Sequence, residues 1–184
     1  MRTQLRCHYK GSAPSLIVVR TLRASATTGM LDLGFTRVRC ALGRSGCRTT
    51  KREGDGATPV GTWPLRQAVY RSDRLVRPRT GLVLRTMNPT DGWCDASSDP
   101  NYNRAVSHPY PASAEHMWRE DGLYDIVVVM GYNDAPRLRG RGSAIFLHCA
   151  RPGYLPTQGC IALSRRDLFR LMPRLTRKIA IRIP

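Results

Sequence analysis

The sequence predicts a mostly-β domain, a sandwich or barrel carrying one or two short helices. Runs of β-branched and alternating apolar residues recur along the 184 residues. Only the segment after Ser164 spaces its apolar residues as a helix does. No internal repeat, low-complexity segment or linker interrupts the pattern. The length suits one domain with a real core, so we read residues 1–14 as an N-terminal extension and 15–184 as a single domain.

The elements follow in order. Ser15 to Arg20 is β-branched and reads as a first strand. Met30 to Leu33 and Thr36 to Leu42 are short strands around a turn at Gly34, and the alternation of Val38 and Cys40 with Arg37 and Arg39 predicts one buried face. Residues 43–61, rich in Gly and charge, read as a long loop, a usual place for substrate contacts. Trp63 to Arg71 and Leu82 to Met87 are further strands. Residues 88–122 are the least periodic. Asp91 to Asp95 and Asn101 to Asn103 read as turns, Ala114 to Arg119 as a short helix, and the excursion as a cap over a cleft, its tryptophans either lining that cleft or packed inward. Ile126 to Met130 is a continuous apolar run, as expected of a central strand covered on both faces. Tyr132 follows it at the expected mouth of a site, a candidate substrate contact or a plain surface turn. Ser143 to Cys149 is a strand ending at a histidine. Ser164-x-x-Asp167 opens the helix as a capping box does, with Leu168, Leu171, Met172 and Leu175 on one face and Pro173 limiting its length. Arg177 to Ile183 alternates again and closes the fold as a strand.

The chemistry concentrates between 148 and 163. An apolar run delivers His148, a Pro/Gly-rich loop follows, and the chain returns at Gly159-Cys160 before apolar Ile161-Ala162-Leu163. Strand ends so arranged bring an imidazole to a thiol, the minimum for a cysteine nucleophile with a paired base. A free thiol is mostly protonated at neutral pH. An adjacent imidazole can take that proton and later return it to a departing amine, which makes Cys160 the candidate nucleophile and His148 the candidate base. Gly159 permits a tight turn, so the Gly159 and Cys160 amides are candidate oxyanion donors. The carbonyl or side chain of Cys149 is a candidate to orient His148.

With these residues the chain resembles the L,D-transpeptidase catalytic domain, the YkuD-like family of bacterial cell-wall enzymes. That signature is a strand-borne His followed by Gly or Ser, a loop, then Ser-His-Gly-Cys-(Ile/Val)-Arg-(Met/Leu). The match runs through His148, Gly159, Cys160, Ile161 and Leu163, with Thr157 at the Ser position. Upstream, Thr58-Pro59-Val60-Gly61 ahead of Trp63 matches the family's Thr-Pro-x-Gly before an aromatic residue. The chain departs at Gln158, where most members have a second His, and at Ala162, where they have Arg. The segment from His148 to Cys160 is also shorter than usual. Glutamine cannot titrate, so the proton work falls on His148. Arg151 is the candidate to replace the missing cation and to hold a stem carboxylate, and Thr157 and Gln158 are candidate substrate contacts. The Thr-x-Gly-Cys-(Ile/Val)-Ala-Leu form resembles that of a divergent proteobacterial branch of the family.

The resemblance implies a β-sandwich or barrel and acyl transfer in peptidoglycan without a metal or organic cofactor. Cys160 would attack the carbonyl of the third residue of a tetrapeptide stem, usually a diaminopimelate, and release D-alanine. An amine would then resolve the thioester, from another stem as a 3–3 cross-link or from a lysine of an envelope protein. Water as acceptor would make the site an L,D-carboxypeptidase or endopeptidase. The implied location is the periplasm or cell envelope. No signal peptide is visible in the chain, because the first apolar run, Leu16 to Val19, is too short for one.

Two rivals remain, one from composition and one from the departures at Gln158 and Ala162. Lys and Arg number 30 against 13 acids, a net charge of +17, which suits a polyanionic partner: nucleic acid, or acidic envelope material. The basic residues are scattered, with no aromatic platform between them, so a specific nucleic-acid site is not expected. Such a domain would bind DNA or RNA with strong salt dependence that survives loss of Cys160. The other rival is a catalytically lapsed cell-wall-binding protein, which has no need of Cys160 or His148. No segment approaches a membrane span. The six cysteines form no Cys-x-x-Cys zinc module, and with Cys160 free the other five cannot all pair, so a full disulfide framework is not expected and one bridge is possible.

Overall fold

The structure is a computed structural model that describes residues 16–184. The expected extension over 1–14, Ser15 and Cys7 lie outside the described residues.

The strands are β1 (Leu16–Arg20), β2 (Thr28–Asp32), β3 (Arg37–Ala41), β4 (Cys47–Arg48), β5 (Thr58–Pro59), β6 (Gly61–Tyr70) and β7 (Val83–Thr86). They continue as β8 (Asp91–Cys94), β9 (Ala105–Ser107), β10 (Ala114–His116), β11 (Ile126–Met130), β12 (Phe146–Cys149), β13 (Ile161–Leu163) and β14 (Ala180–Ile183). The helix α1 (Arg165–Leu171) stands between β13 and β14. Nine strands form the main sheet in the order β11-β12-β13-β3-β2-β1-β14-β6-β7, and a further pairing of β11 with β6 closes it into a barrel. The ten residues of β6 make closure possible: Gly61 to Pro64 pair with β14, and its second half pairs with β11 and β7. The mostly-β expectation therefore holds, with the barrel chosen over the sandwich.

All five residues of β11 are buried because each face meets a different core. Ile126, Val128 and Met130 point into the barrel, while Val127 and Val129 join a second apolar cluster with Val69, Met87, Met117, Tyr124 and Phe146. Period-two alternation then sorts the neighbouring strands. Leu147 and Cys149 of β12 face the barrel, and so do Ile161 and Leu163 of β13. Phe146 and His148 are left on the outer side, and His148 pairs in register with Ala162.

The segment 88–122 covers that outer side. Two expectations fail here. Asp91 to Cys94 is a strand rather than a turn, and Ala114 to His116 is a strand rather than the start of a helix; together with β9 they form a three-stranded antiparallel sheet. The ladder bonds outweigh local propensity, because Trp93 on this sheet has Phe146 to pack against edge-on, with centroids 5.1 Å apart. The tryptophans pack inward, Trp118 beneath the guanidinium of Arg71 at 3.5 Å. Residues 43–61 also hold the short parallel pair β4–β5 within the expected loop. The helix α1 begins where Ser164 caps it: the Ser164 Oγ accepts the Asp167 N–H at 3.0 Å, and Leu168 and Leu171 are buried. Cys40, Cys47, Cys94, Cys149 and Cys160 are all free, so none of the described cysteines forms a bridge.

Candidate active site

A cavity of about 460 Å³ opens between the barrel and the three-stranded sheet. His148, Arg151, Thr157, Gln158, Cys160 and Ala162 line it from the barrel side, with Lys51 and Glu53 from the loop before β5. Asp95, Glu115 and Arg119 line it from the covering segment, and Tyr124, Ser143 and Ala144 from around β11 and β12. Cys160 precedes β13 as Phe146 begins β12, so thiol and imidazole share one sheet face two residues out of step. Such a diagonal separates backbones by about 7 Å, within reach of the two side chains.

The loop that presents Cys160 is fastened from below. The Thr157 hydroxyl donates to the Cys160 carbonyl at 2.7 Å and accepts the Gly159 N–H at 3.1 Å. Thr157 is itself pinned to the end of β3, its N–H donating to the Leu42 carbonyl and its carbonyl accepting the Arg44 N–H, both at 2.8 Å. Thr58, fully buried, accepts the Gly43 N–H on its Oγ1 at 2.8 Å. The Thr-Pro motif thus props the strand end that holds Thr157, which holds the cysteine. Gly159 has φ +131, a conformation open to glycine alone, and its α-carbon sits so near Ala57 that an added Cβ would lie 2.7 Å from the Ala57 carbonyl oxygen. Its amide is committed to Thr157, which corrects the expectation that this N–H is free for an oxyanion.

Cys160 Sγ accepts the Phe146 N–H at 3.3 Å and donates to the Ala144 carbonyl at 3.2 Å. His148 Nδ1 lies 2.9 Å from the Cys149 carbonyl. A carbonyl only accepts, so Nδ1 carries the proton and Nε2 keeps its lone pair. Tyr124 packs edge-on against the imidazole with centroids 5.2 Å apart. Burial pushes the Cys160 thiol up to about 12, and the charge of Glu115 adds to the effect. Burial pulls His148 down to about 4. At neutral pH the resting pair is therefore thiol and neutral imidazole, not an ion pair.

Tyr132 does not line this cavity. It borders a separate hollow with Trp63, Asn133 and Asp134, and its ring meets Trp63 edge-on. Arg151 lines the cavity exposed, and the nearby Asp121 is bound to Arg119 instead. Among the described residues, no group of three or more His, Cys, Asp or Glu gathers as a metal-ligand set.

A model of the L,D-transpeptidase catalytic domain family matches residues 20–183, nearly the whole chain. The chain belongs to that family. No curated protein and no solved structure matches it. Within this transpeptidase-type domain, the family's Arg position on β13 is occupied by Ala162, directly across from His148 on the cavity side. The cations that border the cavity come instead from other segments, as Lys51, Arg119 and Arg151. No helix among the described residues is long and apolar enough to cross a membrane.

Sequence reasoning missed Asn103, whose side chain is the clamp of the site. Its Oδ1 accepts the Ala144 N–H at 3.1 Å and the Trp93 indole N–H at 3.0 Å, and its Nδ2 donates to the Tyr132 and Asn133 carbonyls at 3.0 and 2.8 Å. It thereby fixes Ala144, which holds φ 53 and offers its carbonyl to Cys160. Asn103→Ala orphans buried donors and acceptors, an expected cost of about 3 kcal/mol, or a Tm drop of about 10 °C. Scanning calorimetry checks this; an unchanged Tm would refute the clamp.

Proposed function

We propose that this L,D-transpeptidase-type domain is a cysteine acyltransferase of peptidoglycan, with Cys160 as nucleophile and His148 as base. The observation that carries the reading is that a buried thiol and a neutral imidazole, with its lone pair on Nε2, line one cavity. In the resting state the thiol proton rests on Ala144. Substrate entry turns Sγ from that carbonyl toward Nε2, and the proton passes to imidazole as sulfur attacks the carbonyl carbon of the third stem residue. A tetrahedral oxyanion forms, with the Cys160 N–H as its donor. The C–N bond then breaks, and His148 returns the proton to the departing D-alanine amine. A second amine attacks the thioester, losing its proton to His148, and the thiol is restored. Because the pair is neutral at rest, sulfur is exposed as thiolate only once substrate is in place, which limits wasteful oxidation and alkylation.

Arg151 holds a stem carboxylate at the cavity mouth, and Gln158 and Thr157 border the acyl chain. The domain spans residues 15–184 and works in the cell envelope, where stem amines or a protein lysine resolve the thioester. The test is mass spectrometry of a purified disaccharide-tetrapeptide after incubation with the protein. A 3–3 dimer with release of D-alanine is the expected product. D-Alanine release alone would make the site a carboxypeptidase, and no product together with no adduct on the protein would overturn the enzyme reading.

A further inference from the structure

We infer that the cavity contains an ammonium subsite, in which Asp95 and Glu115 take the protonated side-chain amine of a diamino residue in the stem; this rests on the acyl-transfer reading above. The register between β8 and β10 places both carboxylates. Glu115 pairs with Trp93, and the Asp95 N–H continues the ladder to the Ser113 carbonyl at 3.3 Å. Trp93 faces the barrel, so Glu115 opposite it and Asp95 two residues along share that face. Both line the cavity.

Neither carboxylate has a counter-ion there. The Asp95 Oδ1 is buried without any partner, and Glu115 only accepts the Tyr124 hydroxyl, at 2.6 Å. Two of the three bordering cations are engaged elsewhere, Lys51 with Asp55 at 2.8 Å and Arg119 with Asp121 at 2.5 Å, and the third, Arg151, is exposed. A second, independent observation comes from Ser143, which is 6% exposed, lines the same cavity, and has an Oγ that bonds nothing. Unsatisfied buried oxygens are costly. A primary ammonium brings three N–H donors and one positive charge, which matches two carboxylates and a hydroxyl. A neutral or anionic side chain does not. The subsite also couples recognition to chemistry, since the charge of Glu115 helps hold Cys160 protonated, and an ammonium beside it removes that effect as substrate binds.

The test compares two tetrapeptide stems, one with a free amine on the side chain of its third residue and one acetylated there. Acyl adduct on Cys160 is followed by intact-protein mass spectrometry without acceptor, and binding to Cys160→Ala by calorimetry. Acetylation is expected to lower adduct formation and affinity about tenfold to a hundredfold, as for a lost charge-assisted hydrogen bond. Asp95→Asn and Glu115→Gln, which keep size and remove charge, are expected to erase the preference, with melting curves confirming the fold. Equal rates and affinities for the two stems would overturn the subsite while leaving acyl transfer standing. Adduct from neither stem would defeat the acyl-transfer reading, and calorimetry would then judge the subsite alone. A preference seen only with acceptor present would assign the same subsite to the acceptor amine.

Discussion

Cys160→Ala is expected to abolish both the covalent adduct and D-alanine release, and His148→Gln to slow them about a thousandfold. The two losses differ in kind. Without sulfur no thioester exists, whereas without imidazole the thiol must lose its proton to water from a site that holds it up to about 12. That environment also predicts the behaviour of the free protein. At pH 7 the thiolate fraction of Cys160 is about a thousandfold below that of an unperturbed cysteine. Alkylation by iodoacetamide should therefore be slow, and should climb through pH 9 without a plateau. Rapid labelling at pH 7 would mean a resting ion pair and refute the neutral-pair account.

His148→Gln carries a second signature, in stability rather than rate. The imidazole sits at about 4 in the folded protein against 6.5 in the unfolded chain. Above 6.5 it is neutral in both states. As pH falls from 6.5 to about 4 the unfolded chain takes up the proton and the folded one does not, so stability drops, by about 3 kcal/mol over the window. Below about 4 the loss is complete. Urea unfolding across this range should show the slope in the parent protein and a shallower one in His148→Gln. Parallel slopes would mean that the imidazole is not held neutral by burial.

The parts of the site that could be read in advance are those set by local chain geometry. Alternation through Leu147, His148 and Cys149 and the Gly-Cys turn place the imidazole and thiol on one face whatever surrounds them. The Cys149 carbonyl was expected to orient His148 and lies at its Nδ1. The parts that could not be read depend on contacts between distant segments. Ala114 to Arg119 has no strand pattern of its own, and only the ladder to β8 makes its first residues extended. Asn103 looks like any turn asparagine until Trp93, Tyr132, Asn133 and Ala144 converge on it. Asp95 and Glu115 lie 20 residues apart, within the one segment whose pairing sequence reasoning missed. The high positive charge of the chain also concealed that this cavity is partly acidic.

Gly159→Ala isolates the backbone beneath the nucleophile. The substitution adds one methyl group and touches no reacting atom. At φ +131 any β-carbon is strained, and this one would lie 2.7 Å from the Ala57 carbonyl oxygen and 3.3 Å from Ile145. The carbonyl belongs to the segment that Thr58 ties to Gly43, so it has little room to retreat. The expected cost is about 3 to 5 kcal/mol, together with loss of the adduct, because Cys160 must move with the turn. Gly153→Ala provides the control within the same loop. Gly153 also has a positive φ, +74, but nothing lies within 4 Å of its added Cβ, so only the conformational cost of about 1 kcal/mol applies. Chemical denaturation and adduct mass on the two variants show how far the strain at φ +131 and the collision with Ala57 together exceed the cost of an ordinary positive φ. If Gly159→Ala costs no more than Gly153→Ala, the contact with Ala57 does not hold the nucleophile turn, and the buttress from Thr58 through Gly43 and Thr157 must position Cys160 alone.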